Sequence, residues 1–168
     1  MDLRLRPLRL ADERDATAAH AELAPEHFSF LLSREDAPDW PGYLAALERM
    51  RRGEDVPEGM VPATFLVAEV DGVIVGRTSI RHELNGWLER IGGHIGYGVR
   101  PAHRRRGYAT EILRQSLVVV RALGVERALV TCDEGNLGSA RTIERCGGVL
   151  ENVVGDDAGV PKRRYWID

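Results

Sequence analysis

The chain has 168 residues, with 23 lysines and arginines against 26 aspartates and glutamates, for a net charge of −3. That length suits one domain whose core needs no disulfide or metal staple. A 43% hydrophobic and 29% charged composition is that of a globular protein, not a disordered or fibrous one. The near-neutral balance argues against general nucleic-acid binding, which calls for a strongly basic domain. Cys132 and Cys146 make no disulfide framework and suit a reducing, cytoplasmic setting. No apolar run approaches the ~20 residues that cross a bilayer, and Met1–Leu10 alternates charge with leucine instead of building a signal-peptide core. Lys162 is the sole lysine, next to Pro161 near the end of the chain. A P-loop, a protein-kinase strand lysine and a Schiff-base lysine are thereby excluded.

In chain order, Leu3–Arg6 alternates with period two and predicts a short strand. Asp12 opens a helix through Ala16, Ala19 and Leu23, closed by Pro25. The proline-rich stretch from Glu26 to Pro62 is irregular apart from a second helix over Tyr43–Met50, ended by Gly53. Thr64–Val70 and Val73–Arg81 read as strands joined by Asp71-Gly72, a strong hairpin signal. Leu84–Gly92 reads as a loop and Gly93–Val99 as a glycine-rich strand stopped by Pro101. Gly107 opens a long amphipathic helix that Gly124 ends. A strand at Arg127–Cys132 leads to a helix capped by Asn136 and ended at Gly147-Gly148. Val149–Val154 and Arg163–Ile167 are the last two strands.

The chemistry concentrates between Gly93 and Thr110: a strand, a basic loop, and a glycine at the mouth of a helix. Helix starts leave backbone N–H groups unpaired and carry partial positive charge, so phosphate binds there readily. Gly107 and Ala109 allow close approach, and Arg104, Arg105 and Arg106 surround the spot. It is no Rossmann fingerprint, because Gly96-Tyr97-Gly98 is followed by Pro101 where a third glycine should fall. A bare arginine run before glycine is usually just a solvated cap. The order of parts around this one is what gives it meaning.

Those parts resemble the GNAT superfamily of acyl-CoA-dependent N-acyltransferases, within it a bacterial subgroup known mainly as predicted acetyltransferases. Arg104-Arg105-Arg106-Gly107-Tyr108-Ala109 matches each fixed position of the family signature Gln/Arg-x-x-Gly-x-Gly/Ala, and Asn136 through Gly147 resembles its second block. The resemblance implies an α/β (α+β) domain over residues 1–168. Its mixed, mostly antiparallel sheet would have six or seven strands, splayed between the fourth and fifth and flanked by about four helices. It implies acetyl-CoA as cosubstrate and no metal. The diphosphate would lie on backbone amides from Arg105 to Thr110, the pantetheine near Tyr97 and Val99, with Asn136 and Ser139 close by. The acceptor would be a small-molecule or peptidyl primary amine, with neither nucleic acid nor membrane as partner, and a homodimer is admitted. A catalytically silent acyl-CoA-binding module is the alternative.

An alkyl amine with pKa near ~10 costs about 4 kcal/mol to neutralise at pH 7, so a proton acceptor is expected. The candidates are His94 and Tyr97 on the fourth strand, Glu83 after the hairpin, and Glu151 on the sixth strand. A backbone N–H around Val99 would meet the developing oxyanion. Many family members carry a tyrosine seven residues after the Asn; here that position is Ile143. Phe28, Trp40 and Tyr43 could wall the acceptor site or simply fill core, and Asp133-Glu134 and Asp156-Asp157 could attract a cationic amine or simply line solvated turns.

Overall fold

The structure, a computed structural model, describes residues 2–168. Its strands are β1 (Arg4–Arg6), β2 (Ala63–Val70), β3 (Val73–Arg81), β4 (Ile95–Val99), β5 (Ala128–Asp133), β6 (Val149–Gly155) and β7 (Pro161–Ile167). Its α-helices are α1 (Glu13–Leu23), α2 (Trp40–Arg52), α3 (Tyr108–Ala122) and α4 (Leu137–Arg145). The strands form two sheets rather than one: β1-β2-β3-β4 and β5-β7-β6, each antiparallel throughout. The expected splay between the fourth and fifth strands is the division between them.

The β2–β3 hairpin turns on Asp71 (φ 50°) and Gly72 (φ 80°), the paired positive φ values that a two-residue connection requires. Alternation then sorts side chains between two layers. On one face α3 and α4 bury Leu113, Leu117, Val120 and Ile143 against Ile95, Val130 and Tyr165. On the other, α1 and α2 bury Ala16, Leu23, Trp40 and Tyr43 against Phe65, Val67 and Ile74. The first strand is held by charge as well: Arg6 joins Asp12 (2.6 Å) and Glu69 (2.5 Å) below the surface.

Boundaries differ from the sequence expectation where a cap or a glycine intervenes. α2 starts at Trp40, not Tyr43, because the Gly42 N–H donates to Asp39 Oδ1 at 2.7 Å and fixes an earlier N-cap. Within the expected Leu84–Gly92 loop, Leu88–Gly92 forms one wide helical turn. β4 begins two residues late because Gly93 (φ 64°) redirects the chain and His94 turns toward β5.

Candidate functional site

β4 and β5 run side by side at one end and part at the other. Their tie is His94: its N–H donates to the Leu129 carbonyl at 2.7 Å, and its Nδ1 accepts the Leu129 N–H at 2.9 Å. β5 pairs with β7 along its other edge from Ala128 to Asp133, and past the His94 tie the facing edge of β4 has no strand partner among the described residues. Arg100 N–H donates to Val75 on β3, so the even-numbered residues of β4 face β3 and the odd ones, Tyr97 and Val99, face the gap. The gap is therefore lined by main-chain groups that no strand pairs, of which the Val99 carbonyl is taken by a side chain, Arg104 Nε at 3.1 Å. Across its mouth the Tyr97 hydroxyl meets Ser139 Oγ at 2.9 Å, and Ser139 is held in place because its N–H donates to the Asn136 side chain.

The chain then turns from β4 into α3 through Arg105 (φ 63°) and Gly107 (φ 82°). No side chain caps α3, and the first backbone bond of the helix is made by Glu111 N–H to Gly107. Among the described residues, the N–H groups of Arg105, Arg106, Gly107, Tyr108, Ala109 and Thr110 thus have no acceptor. Six donors converging at a helix start, with the exposed Arg105 and Arg106 beside them, suit a diphosphate. Arg104 does not join them. Its guanidinium pairs with Glu26 (2.7 Å) and donates to the Val99 carbonyl (3.1 Å), so it shapes the loop instead.

A family model for the acetyltransferase (GNAT) domain matches residues 2–149, through both the gap and the helix start. The chain belongs to the GNAT acetyltransferase family. An uncharacterised N-acetyltransferase of Bacillus subtilis, YjdG, is 34% identical over 71 residues, 40% of this chain and 38% of that protein. The chain thus matches well under two thirds of that relative's length. Solved GNAT structures agree on the fold. RimJ of Mycobacterium smegmatis, in complex with CoA-disulfide, superposes with TM-score 0.71 at 23% identity, over 98% of this chain and 81% of that one. The acetyltransferase yncA of Salmonella typhimurium, with its cofactor acetyl-CoA, gives 0.66 at 18% over 100% and 94%.

Geometry reassigns most of the proton acceptors expected in this GNAT site. His94 is buried; since its Nδ1 accepts a hydrogen bond, its neutral form carries the proton on Nε2, and burial followed by the nearby Arg81 charge lowers its pKa. It is a tie between strands, without a free lone pair for an amine proton. Burial drives the Tyr97 phenol well above its ordinary range, so it stays protonated and donates hydrogen bonds instead of accepting protons. Glu83 is exposed beyond the end of β3, and Glu151 is ion-paired with Arg164. Ile143 is fully buried beneath Gly148, facing core and not the gap. Trp40 and Tyr43 fill core, while Phe28 packs on Gly98. Cys132 and Cys146 are free thiols whose pKa burial raises, which makes them poor nucleophiles.

The sheet face opposite α3 and α4 holds what sequence reasoning overlooked. An open groove of about 450 Å³ is lined there by Trp87, Ile91, Thr131, Asp133, Asp156 and Lys162. The single lysine is spoken for: it pairs with Asp133 and with Asp156 at 3.4 Å. On β3, Arg77 and Arg81 also turn away from α3, Arg77 onto the Phe28 and Phe65 rings. Two arginines four apart in a buried central strand were the visible signal.

Proposed function

We propose that the protein transfers an acetyl group from acetyl-CoA to a primary amine by direct attack of the amine on the thioester. The observation that carries this reading is the run of six unpaired N–H groups at the start of α3, continuous with the open edge of β4. The Arg105–Thr110 amides would hold the diphosphate, and the main-chain groups of Tyr97 together with the Val99 N–H would pair with the pantetheine. A β4 N–H donor meets the carbonyl oxygen as it gains negative charge. The new N–C bond forms as the C–S bond breaks, and the electron pair leaves on sulfur. A thiol pKa of about 8.5 makes that thiolate a tolerable leaving group, for which one hydrogen bond from the neutral Tyr97 hydroxyl suffices. With His94, Tyr97 and Glu151 otherwise engaged, the amine loses its proton to water. Neighbouring cations, Arg77 and Arg81, favour its neutral form. Thiol release from acetyl-CoA across a panel of amines tests the activity, with thermal shift reporting cofactor binding. Turnover of at least one amine is expected.

A second reading, an acyl-CoA-binding module without turnover, is favoured by the buried Ile143 where many GNAT proteins carry tyrosine. Stabilisation by acetyl-CoA with no thiol release on any amine would select it.

A further inference from the structure

Two guanidinium groups lie on the sheet face opposite α3 and α4, and neither has a carboxylate. Arg77 is only 4% exposed. It stacks over the Phe28 ring at 4.3 Å and donates to the Gly96 carbonyl (3.0 Å) and the Ser29 carbonyl (2.7 Å), with Nε left buried and unbonded. Arg81, two pleat repeats further along the same face, has Nη1 buried without any partner. That nitrogen sits 3.0 Å from where a Cβ on Gly96 would be, directly over β4. The cause of the absent pairing is legible in the neighbours. Glu69 and Asp15, which neutralise Arg6 and Arg100, lie elsewhere, and the carboxylates nearest the groove are engaged by Lys162. A buried cation without a counter-charge is costly, and folded proteins keep one where a ligand completes it.

We propose that Arg81, backed by Arg77, binds a carboxylate of the acceptor, so that the protein acetylates amines that carry a nearby carboxylate, as amino acids do. The inference rests on the amine-acetylation reading and narrows it. Arg77 is fixed by two carbonyls and an aromatic face, so it supplies field and rigidity. Arg81 retains open donors, so it supplies the contact. The absence of a side chain at Gly96 lets the Arg81 guanidinium lie directly on β4, with the Phe28 ring seated next to it on Gly98. A carboxylate on Arg81 would orient the attached amine toward β4, and bidentate guanidinium pairing would fix that direction.

The test uses the 168-residue chain saturated with acetyl-CoA and amine pairs that differ only in the carboxylate: several amino acids against their carboxamides. The carboxamides hold the more easily deprotonated amine, so a preference for the acids cannot come from amine basicity. Wild type is expected to favour the acids by about tenfold or more in kcat/KM, the value of a charge-assisted contact. Arg81→Gln brings the acid-to-amide ratio close to one, and Arg81→Lys keeps part of it. Retained coenzyme A binding shows that each variant is folded. Equal use of acids and amides by wild type overturns the proposal and leaves amine acetylation standing. Should no amine react, that activity falls instead, and binding decides the subsite. Succinate, but not succinamide, should raise the melting temperature of the coenzyme A-loaded protein, and Arg81→Gln should abolish the effect. No stabilisation by succinate overturns the subsite.

Discussion

Tyr97 Oη and Ser139 Oγ lie 2.9 Å apart, and their hydrogen bond bridges β4 and α4 across the mouth of the gap. It couples two expectations that the sequence raised separately, a tyrosine on the fourth strand and a serine after the helix cap. Ser139 can donate to or accept from the phenol, so the Tyr97 proton is free to turn toward a leaving sulfur when the gap is filled.

Tyr97→Phe therefore removes one hydrogen bond that strengthens as negative charge develops on sulfur. A single such donor in a dry site contributes on the order of 10–100-fold. We expect kcat to fall by that factor, while the dissociation constant for acetyl-CoA changes less than about threefold. Steady-state kinetics beside calorimetry checks the pair of values; an unchanged kcat would assign Tyr97 to packing alone.

Gly107 carries φ 82°, and its N–H belongs to the donor run. A Cβ in this left-handed conformation costs roughly 1–2 kcal/mol, and the loop escapes that strain by moving its amides out of register. Gly107→Ala should weaken coenzyme A binding by about tenfold or more and lower the melting temperature by a few degrees. Titration calorimetry reads the first effect and thermal melting the second. Arg105→Ala, which keeps the amide and removes only an exposed charge, should cost far less.

The contrast between these two residues shows what the sequence could disclose. Arg104–Ala109 announced the donor run because a glycine at a helix start is a local, contiguous signal. The Asp71-Gly72 hairpin was legible for the same reason. The splay between the fourth and fifth strands followed from the family resemblance, but the tie that closes one end of it, His94 to Leu129 some 35 positions along the chain, has no local signal. The roles of Arg77 and Arg81 were hidden likewise: a strand arginine looks the same whether a carboxylate lies beside it or not. His94 misled because an intrinsic pKa says nothing of which ring nitrogen is engaged.

That engagement gives His94 a pH signature of its own. Its pKa is lowered below the ordinary 6.5 by burial and then by Arg81, so the folded protein resists a proton that the unfolded chain accepts. Stability is accordingly whole above pH 6.5 and declines as pH falls through that value toward the lower folded pKa. One such proton costs at most about 1.4 kcal/mol per pH unit. His94→Gln should flatten the stability slope between pH 7 and 5 in urea titrations. It should also leave the rising limb of the activity profile where it was, since the acceptor amine sets that limb.

The ion cluster on β1 loses stability in the same direction, as pH falls, but at lower pH. Asp12 is held below its ordinary 3.8 by hydrogen bonds from Arg6 and the Arg9 backbone, which outweigh a desolvation that pushes the other way. Glu69 is held below its ordinary 4.5 by Arg4 and Arg6. A depressed carboxylate stabilises the fold fully above its unfolded pKa and loses that contribution as pH falls through the folded value. The cluster should therefore hold to about pH 4.5 and fail below it. Glu69 is 4% exposed and Arg6 7%, so removing the acid strands a buried guanidinium. Glu69→Gln should cost about 3 kcal/mol, read as a lower urea midpoint at pH 7. Its penalty relative to wild type should shrink as the buffer is taken below pH 4, because wild type is then losing the same charge. A constant penalty across that range would mean that the pair contributes shape and not charge.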